Sequence, residues 1–204
     1  MAGDRLAGDR VAGGGLAGAG RPVLIVLRGN SASGKSAVAA EIRRRRGARD
    51  LAIVGQDHLR RVVLRERDEP GGANIALIEL TARFALEHGY HTIVEGILYA
   101  AHYADMLSVL VSGHAGRTRC YYLDVPFDET VRRHATKSQA AQYGPAEMRS
   151  WYRERDFLPG LAEDVIPAGS TLDETVTRIM TDTGLSVPSG GADSARMAAA
   201  PPPT

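Results

Sequence analysis

Short aliphatic runs alternate along the chain with longer segments whose apolar residues recur at helical spacing. Residues 23–27, between Pro22 and Gly29, are continuously aliphatic and predict a strand buried on both faces. Further strands are predicted at 51–54, 92–94, 120–125 and 164–166, and helices at 36–46, 74–88, 100–111, 128–141, 145–155 and from Thr171. This alternation predicts an α/β fold with a parallel sheet of about five strands, flanked on both faces by helices.

The two ends of the chain differ from its middle in composition. Residues 1–20 repeat Ala-Gly-Asp-Arg and continue as a Gly/Ala stretch, and residues 187–204 are rich in Pro, Ala, Gly and Ser. Neither segment has enough apolar surface to offset the entropy lost on ordering, so we expect two disordered tails. The folded domain is expected to span residues 21–186.

Composition limits the classes of function. The chain has 204 residues with a formal net charge of +1 and 5% aromatic residues, so a nucleic-acid partner is disfavoured. Its only cysteine, Cys120, excludes an internal disulfide and a cysteine-based zinc site. No apolar run is long enough to cross a bilayer, and the first residues lack the order of a secretion signal. We expect a cytoplasmic protein without a membrane partner.

The first predicted strand runs directly into GNSASGKS, which has the spacing of a Walker A phosphate loop. Its glycines let the backbone wrap around phosphate oxygens, and the following helix directs its positive N-terminal end at them. ATP and Mg²⁺ are the expected cofactors, with Lys35 on the β- and γ-phosphates and Ser36 on the metal. The predicted nucleotide-binding residues are Gly29, Asn30, Ser31, Ala32, Ser33, Gly34, Lys35 and Ser36.

Three polar residues after the second and third strands are candidates for the acceptor side. Asp57 follows the second strand, where a carboxylate can accept the proton of an attacking hydroxyl or act as a second metal ligand beside Ser36. Arg60, three residues later, would lie on the same helical face and could hold the acceptor. The alternative for Asp57 is a helix N-cap. Glu95 ends the third strand and is a second candidate, as base, as support for Mg²⁺ or as a strand-end carboxylate bound by loop amides.

The phosphate loop, the Asp57-x-x-Arg60 spacing and the segment YLDVPFDETVRRHATK together resemble the small P-loop kinases. That group includes zeta toxins, chloramphenicol phosphotransferase and the kinase domain of polynucleotide kinases. The resemblance implies a P-loop NTPase fold with a helical lid over the nucleotide. It also implies that Arg133 and Lys137 are lid cations that stabilise the transferred charge, and that the backbone around Gly169 lies against the adenine.

The expected activity is transfer of the ATP γ-phosphate to a hydroxyl of a small molecule, such as an antibiotic, a nucleoside or a nucleotide sugar. Its candidate catalytic residues are Lys35, Asp57, Arg60, Glu95, Arg133 and Lys137. Residues 61–73 are expected to shape the acceptor pocket without identifying the acceptor. Two alternatives remain open at this point: a kinase of polynucleotide 5′-hydroxyl ends, and a nucleotide-binding regulatory protein without an acceptor.

Overall fold

The computed structural model describes residues 20–136, 141 and 143–185 of the chain. Five strands of this described part form one sheet in which every pair is parallel, in the order β2-β3-β1-β4-β5. The strands are β1 (Leu24–Gly29), β2 (Leu51–Gly55), β3 (His91–Gly96), β4 (Thr118–Asp124) and β5 (Asp164–Pro167). The predicted class, a P-loop NTPase fold with a five-stranded parallel sheet, is confirmed.

Helices connect the strands and cover both faces of the sheet. They are α1 (Lys35–Arg46), α2 (Ala73–Glu87), α3 (Ala100–Gly113), α4 (Phe127–Ala135), α5 (Pro145–Trp151) and α6 (Leu172–Thr183). A short π-helical segment, His58–Val63, follows β2. Thr171 caps α6 as predicted, since its hydroxyl accepts the Glu174 N–H at 3.2 Å. None of the helices in the described part is long and apolar enough to cross a bilayer.

Two predicted helices are shorter than expected. The helix predicted at 145–155 ends at Trp151, because Tyr152 has an extended backbone (ψ 130°) and Arg155 a left-handed one (φ 47°). The helix predicted at 128–141 is α4, which ends at Ala135. Residues 137–140 and 142 lie outside the described residues, so the prediction for Lys137 has no structural counterpart here. Residues 1–19 and 186–204, which hold nearly all of the predicted tails, also lie outside them.

The alternation of side chains along β1 divides the core into two layers. Leu24 and Val26 pack with residues of α2 and α3, whereas Ile25 and Leu27 pack with residues of α1 and α6. All four side chains are fully buried, which explains the unbroken aliphatic run in the sequence. Because every strand runs in the same direction, the carboxyl ends of the strands meet at one edge of the sheet, where ligands bind in folds of this kind.

Candidate active site

The loop between β1 and α1 has the backbone of a phosphate cradle. Gly29 has a φ of 144°, and a Cβ there would lie 2.7 Å from the carbonyl oxygen of Leu123, so only glycine fits. Gly34 (φ 112°) is the N-cap residue directly before α1. The buried Lys35 ammonium donates to the Asn30 carbonyl at 2.8 Å and to Ser33 Oγ at 3.3 Å. The lysine side chain therefore lies across the loop, in the place where it is predicted to bind phosphate oxygens.

Ser36 and Glu95 are brought together at the start of α1. The Ser36 hydroxyl lies 3.1 Å from each carboxylate oxygen of Glu95. Gly55 pairs with Glu95 in the β2–β3 ladder, and a Cβ on Gly55 would lie 3.2 Å from Glu95 Oε1, so glycine leaves room for the carboxylate. A hydroxyl and a carboxylate are hard oxygen ligands of the kind that Mg²⁺ prefers, so this pair fits the metal that a phosphate loop requires.

Asp57 and Arg60 form an ion pair beside this edge of the sheet. Arg60 Nη2 donates to Asp57 Oδ1 at 3.0 Å, as the spacing of three residues predicted. Asp57 occupies the N-cap position of the π-helical segment, as the alternative interpretation predicted, but its side chain makes no capping hydrogen bond there. Its side chain is 67% exposed, so the carboxylate is accessible to a substrate. The assignment of Asp57 as a metal ligand beside Ser36 stays a prediction. The carboxylate that contacts the Ser36 hydroxyl is that of Glu95.

A cavity of about 590 Å³ lies beside the loop and the Asp57–Arg60 pair. We call it the acceptor cavity. One wall comes from the loop and the chain after β2, with Ser31, Asp57, Arg60, Arg61, Arg67 and Asp68. The other comes from the start of α3 and the chain around the end of α5, with Tyr99, His102, Trp151, Arg153 and Asp156. Arg61, Arg67 and Asp68 of the segment 61–73 thus line this cavity, and its use by the acceptor stays a prediction.

A second cavity, of about 290 Å³, lies between the loop and the chain that follows β5. Arg133 lies at its wall, where it donates to the Ser33 carbonyl at 3.0 Å and to the Ala168 carbonyl at 2.9 Å. Gly169 stands between two residues of this wall, Pro167 and Ser170. Arg133 therefore lines this cavity and Gly169 adjoins it in sequence, and their contact with the nucleotide stays a prediction.

Arg133 is held in place by Glu129 of the same helix, whose Oε1 accepts Arg133 Nε at 2.6 Å. Hydrogen bonds from Arg132 and then from Arg133 lower the pKa of Glu129 to about 2. The Arg133 guanidinium consequently links α4, the phosphate loop and the chain after β5.

Sequence reasoning missed Arg28, the last residue before Gly29. Its side chain is fully buried and donates to both carboxylate oxygens of Glu163 at 2.9 Å, to Asp156 Oδ2 at 3.0 Å and to the Leu98 carbonyl at 2.9 Å. The available signal was a charged residue directly after five aliphatic ones. Its partners lie 70 to 135 positions away, so no local pattern could have identified them.

Asn30 makes a second connection that the sequence did not reveal. Its side-chain amide donates to the Arg153 carbonyl at 2.7 Å, and its side-chain oxygen accepts the Arg153 N–H at 2.9 Å. The chain after α5 is therefore tied to the phosphate loop by a pair of hydrogen bonds and to β1 by the ion pairs of Arg28.

A buried polar network also supports the wall that follows β2. Gln56 donates to Asp68 at 3.0 Å and to the Tyr103 hydroxyl at 2.8 Å, and that hydroxyl lies 2.7 Å from both Asp68 Oδ1 and Asn74 Oδ1. Burial, together with the neighbouring Asp68, raises the pKa of Tyr103 well above its ordinary value, so the phenol stays protonated. The network fixes Asp68 and the chain around it against α3.

Comparison with known proteins agrees with this geometry. The family model AAA_33, described as an AAA domain, matches residues 24–158. No curated protein matches the chain significantly.

Solved structures of P-loop kinases have the same fold. The APS kinase of Mycobacterium tuberculosis, in complex with AMPPNP and APS, is similar with a TM-score of 0.63 and 17% identity, over 80% of this chain and 98% of that one. A gluconokinase from Sinorhizobium meliloti has a TM-score of 0.56 and 15% identity, over 81% and 94%. The tunicamycin resistance protein of Deinococcus radiodurans has a TM-score of 0.56 and 15% identity, over 82% and 99%. At these identities the similarity shows the fold.

Proposed function

Since the chain belongs to the AAA domain family AAA_33 and has the fold of small P-loop kinases, we propose that it transfers the γ-phosphate of ATP to a hydroxyl of a small molecule. The observation that carries this proposal is the position of the acceptor cavity. One wall contains both Ser31 of the phosphate loop and Asp57, a carboxylate that can take a proton. A protein that only bound the nucleotide would have no need of such a cavity.

The two cavities divide the nucleotide from the acceptor. The nucleoside of ATP would occupy the smaller cavity, beside Arg133 and the backbone around Gly169, with its phosphates in the loop. Lys35 and the loop N–H groups would hold the β- and γ-phosphates. Ser36 and Glu95 would hold Mg²⁺, which neutralises part of the charge on the phosphates when bound. The γ-phosphate would then face the acceptor cavity.

Asp57 is the proposed general base. As the acceptor oxygen bonds to the γ-phosphorus, the bond from that phosphorus to the bridging oxygen breaks, ADP leaves and the hydroxyl proton passes to Asp57. Arg60 orients the carboxylate through its 3.0 Å hydrogen bond. We assign the base to Asp57 and not to Glu95, because Asp57 lines the acceptor cavity whereas Glu95 contacts Ser36 at the predicted metal position.

The test is phosphate transfer from labelled ATP to a panel of hydroxyl compounds. The panel includes APS, gluconate and tunicamycin, chosen from the structurally similar proteins described above, together with nucleosides, nucleotide sugars and 5′-hydroxyl oligonucleotides. We expect Mg²⁺-dependent transfer to a small molecule. Transfer to oligonucleotides alone would replace this proposal with a polynucleotide kinase, and tight ATP binding without transfer to any compound would favour a regulatory protein.

The matched variant is Lys35→Ala. The Lys35 ammonium donates to the Asn30 carbonyl and to Ser33 Oγ, both within the loop and not in the apolar core, so its loss should abolish transfer and leave the melting temperature nearly unchanged. Normal turnover in this variant would contradict the assignment of the phosphate loop.

A further inference from the structure

We propose that the acceptor is an anion, a small hydroxyl compound that also carries a phosphate, sulfate or carboxylate group bound by arginines of the acceptor cavity. This inference rests on the proposed function and narrows it to one chemical class of substrate. It follows from an imbalance in the cavity: its carboxylates have partners within the protein, and three of its four arginines have no carboxylate partner among the described residues.

The carboxylates of the acceptor cavity are already engaged. Asp57 accepts from Arg60 at 3.0 Å, and Asp68 accepts from Gln56 at 3.0 Å. Asp156 accepts from the buried Arg28 at 3.0 Å and from the Ala100 N–H at 2.8 Å. Their negative charge is therefore directed toward protein donors.

The arginines of the cavity are arranged differently. Arg61 and Arg67 make no hydrogen bond or ion pair within the described residues, although both line the cavity. Within the described residues the Arg153 guanidinium donates only to backbone carbonyls, at 2.9 and 3.0 Å, and it lies 5.5 Å from the centroid of the Tyr99 ring. Three guanidinium groups thus keep uncompensated charge and free donors at one cavity. Guanidinium groups bind phosphate and carboxylate through paired hydrogen bonds, so this arrangement favours an anionic ligand.

Unsatisfied polar atoms point to the same region. Four buried side-chain polar atoms in the described part of the chain lack a hydrogen-bond partner, and two of them, Arg60 Nε and His102 Nδ1, belong to residues of this cavity. Buried polar atoms are nearly always paired in native proteins, and exceptions occur at sites completed by a ligand, an ion or water. Arg60 and His102 belong to different walls of the cavity, and His102 Nδ1 lies 3.6 Å from Asp68 Oδ1, beyond hydrogen-bond distance. Both atoms are therefore polar groups at this cavity that the described residues do not pair.

The size of the cavity limits the ligand. A volume of about 590 Å³ lies within the range of sites that enclose small molecules, and Tyr99 and Trp151 provide flat surfaces against which a ring can pack. A phosphorylated sugar, a nucleotide or a sugar acid has the required combination of hydroxyl, ring and negative charge. These three kinds of ligand all carry an anionic group, and the experiment below distinguishes between them.

Trp151 provides a direct measurement, because it is the only tryptophan of the chain and it lines the cavity. The fluorescence of Trp151 is measured while each ligand is added, in the presence of saturating ADP and Mg²⁺ that occupy the phosphate loop. The probes are matched sets that differ in charge: uridine with uridine 5′-monophosphate, and glucose with glucose 6-phosphate and gluconate. We expect a charged member to bind at least about tenfold more tightly than its neutral counterpart, and the preferred set identifies phosphate or carboxylate.

The double variant Arg61→Gln/Arg67→Gln should remove most of this preference, weakening the charged probe about tenfold or more and leaving the neutral probe unchanged. Arg119→Gln is the matched control, since Arg119 is an exposed arginine near the amino end of β4, away from the cavity. Equal affinity for charged and neutral probes, no response to any charged probe, or equal effects of the two variants would overturn the inference.

The outcomes also separate this inference from the proposed function. Phosphate transfer to neutral and charged acceptors with equal efficiency would retain the kinase and reject the anionic acceptor. Charge-selective binding at Trp151, with no transfer to any acceptor, would retain the anion site and reject the kinase.

Discussion

At the residue scale, the two candidate carboxylates have different surroundings. Both lie near the carboxyl ends of neighbouring strands, Glu95 within β3 and Asp57 two residues after β2. The sequence could not decide between them because it does not show which side chain faces the start of α1. The β2–β3 register places Glu95 opposite Gly55, and its carboxylate contacts Ser36. Asp57, two residues beyond Gly55, instead lies in the acceptor cavity with Arg60. The roles proposed for the two carboxylates therefore rest on contacts between distant elements.

This assignment predicts that Glu95→Gln weakens ATP binding only when Mg²⁺ is present. The amide is a poorer metal ligand than the carboxylate, so the Kd for ATP with Mg²⁺ should rise about 10–100-fold. With the metal chelated, variant and wild type should bind ATP equally in isothermal titration. Glu79→Gln removes a carboxylate that pairs with Arg83 on α2 and is the control. An equal loss of affinity with and without Mg²⁺ would contradict the metal role.

At the element scale, most strands and helices could be predicted, because the spacing of their apolar residues shows which face of each element is buried. The end of α5 could not be predicted in this way. The backbone N–H and carbonyl of Arg153 are bonded to the Asn30 side chain, 123 positions away in sequence, so they are withdrawn from a helical ladder that the sequence of residues 152–155 would otherwise permit. The same tertiary connections of Asn30 and Arg28 place Arg153 and Asp156 in the acceptor cavity.

Arg28→Met should therefore destabilise the fold strongly. The substitution keeps an apolar stem but leaves the carboxylates of Asp156 and Glu163 without their buried partner, the latter being only 2% exposed. We expect a loss of about 3–5 kcal/mol in the free energy of unfolding, measured by urea denaturation.

The matched control for Arg28→Met is Arg44→Met, because Arg44 also forms an ion pair, with Glu41, but is 72% exposed. Its expected cost is much smaller, because an exposed ion pair is screened by solvent and contributes little to stability. Similar costs for the two variants would show that the buried network contributes little to stability.

At the scale of the whole molecule, residues of the phosphate loop line both cavities, and we propose that nucleotide and acceptor meet at this loop. The phosphate loop and the class of fold could be predicted, since glycine positions and strand–helix alternation are local properties. Of the residues around the acceptor cavity, the sequence indicated only the segment 61–73 and the Asp57–Arg60 pair. The other wall comes from residues 97–102 and 143–156, which are distant in sequence.

Deletion of residues 1–20 and 189–204 should leave the domain intact. These segments have compositions that bury little apolar surface, so the melting temperature and the phosphate transfer of the shortened chain should equal those of the full chain. The comparison requires one thermal melt and one transfer assay for each protein. A large loss in either would mean that a tail packs on the domain or contributes to the site.

The most direct test of the account is Asp57→Asn, measured by turnover with an identified acceptor and by ATP–Mg²⁺ affinity on the same preparation. The amide keeps the size of the side chain but cannot take the proton. Turnover should fall about 10²–10⁴-fold while the affinity for ATP–Mg²⁺ and the melting temperature stay unchanged. Asp105→Asn, an exposed position on α3, serves as the control. Near-normal turnover in Asp57→Asn, or a parallel loss of ATP–Mg²⁺ affinity, would contradict the assignment of Asp57 as the base.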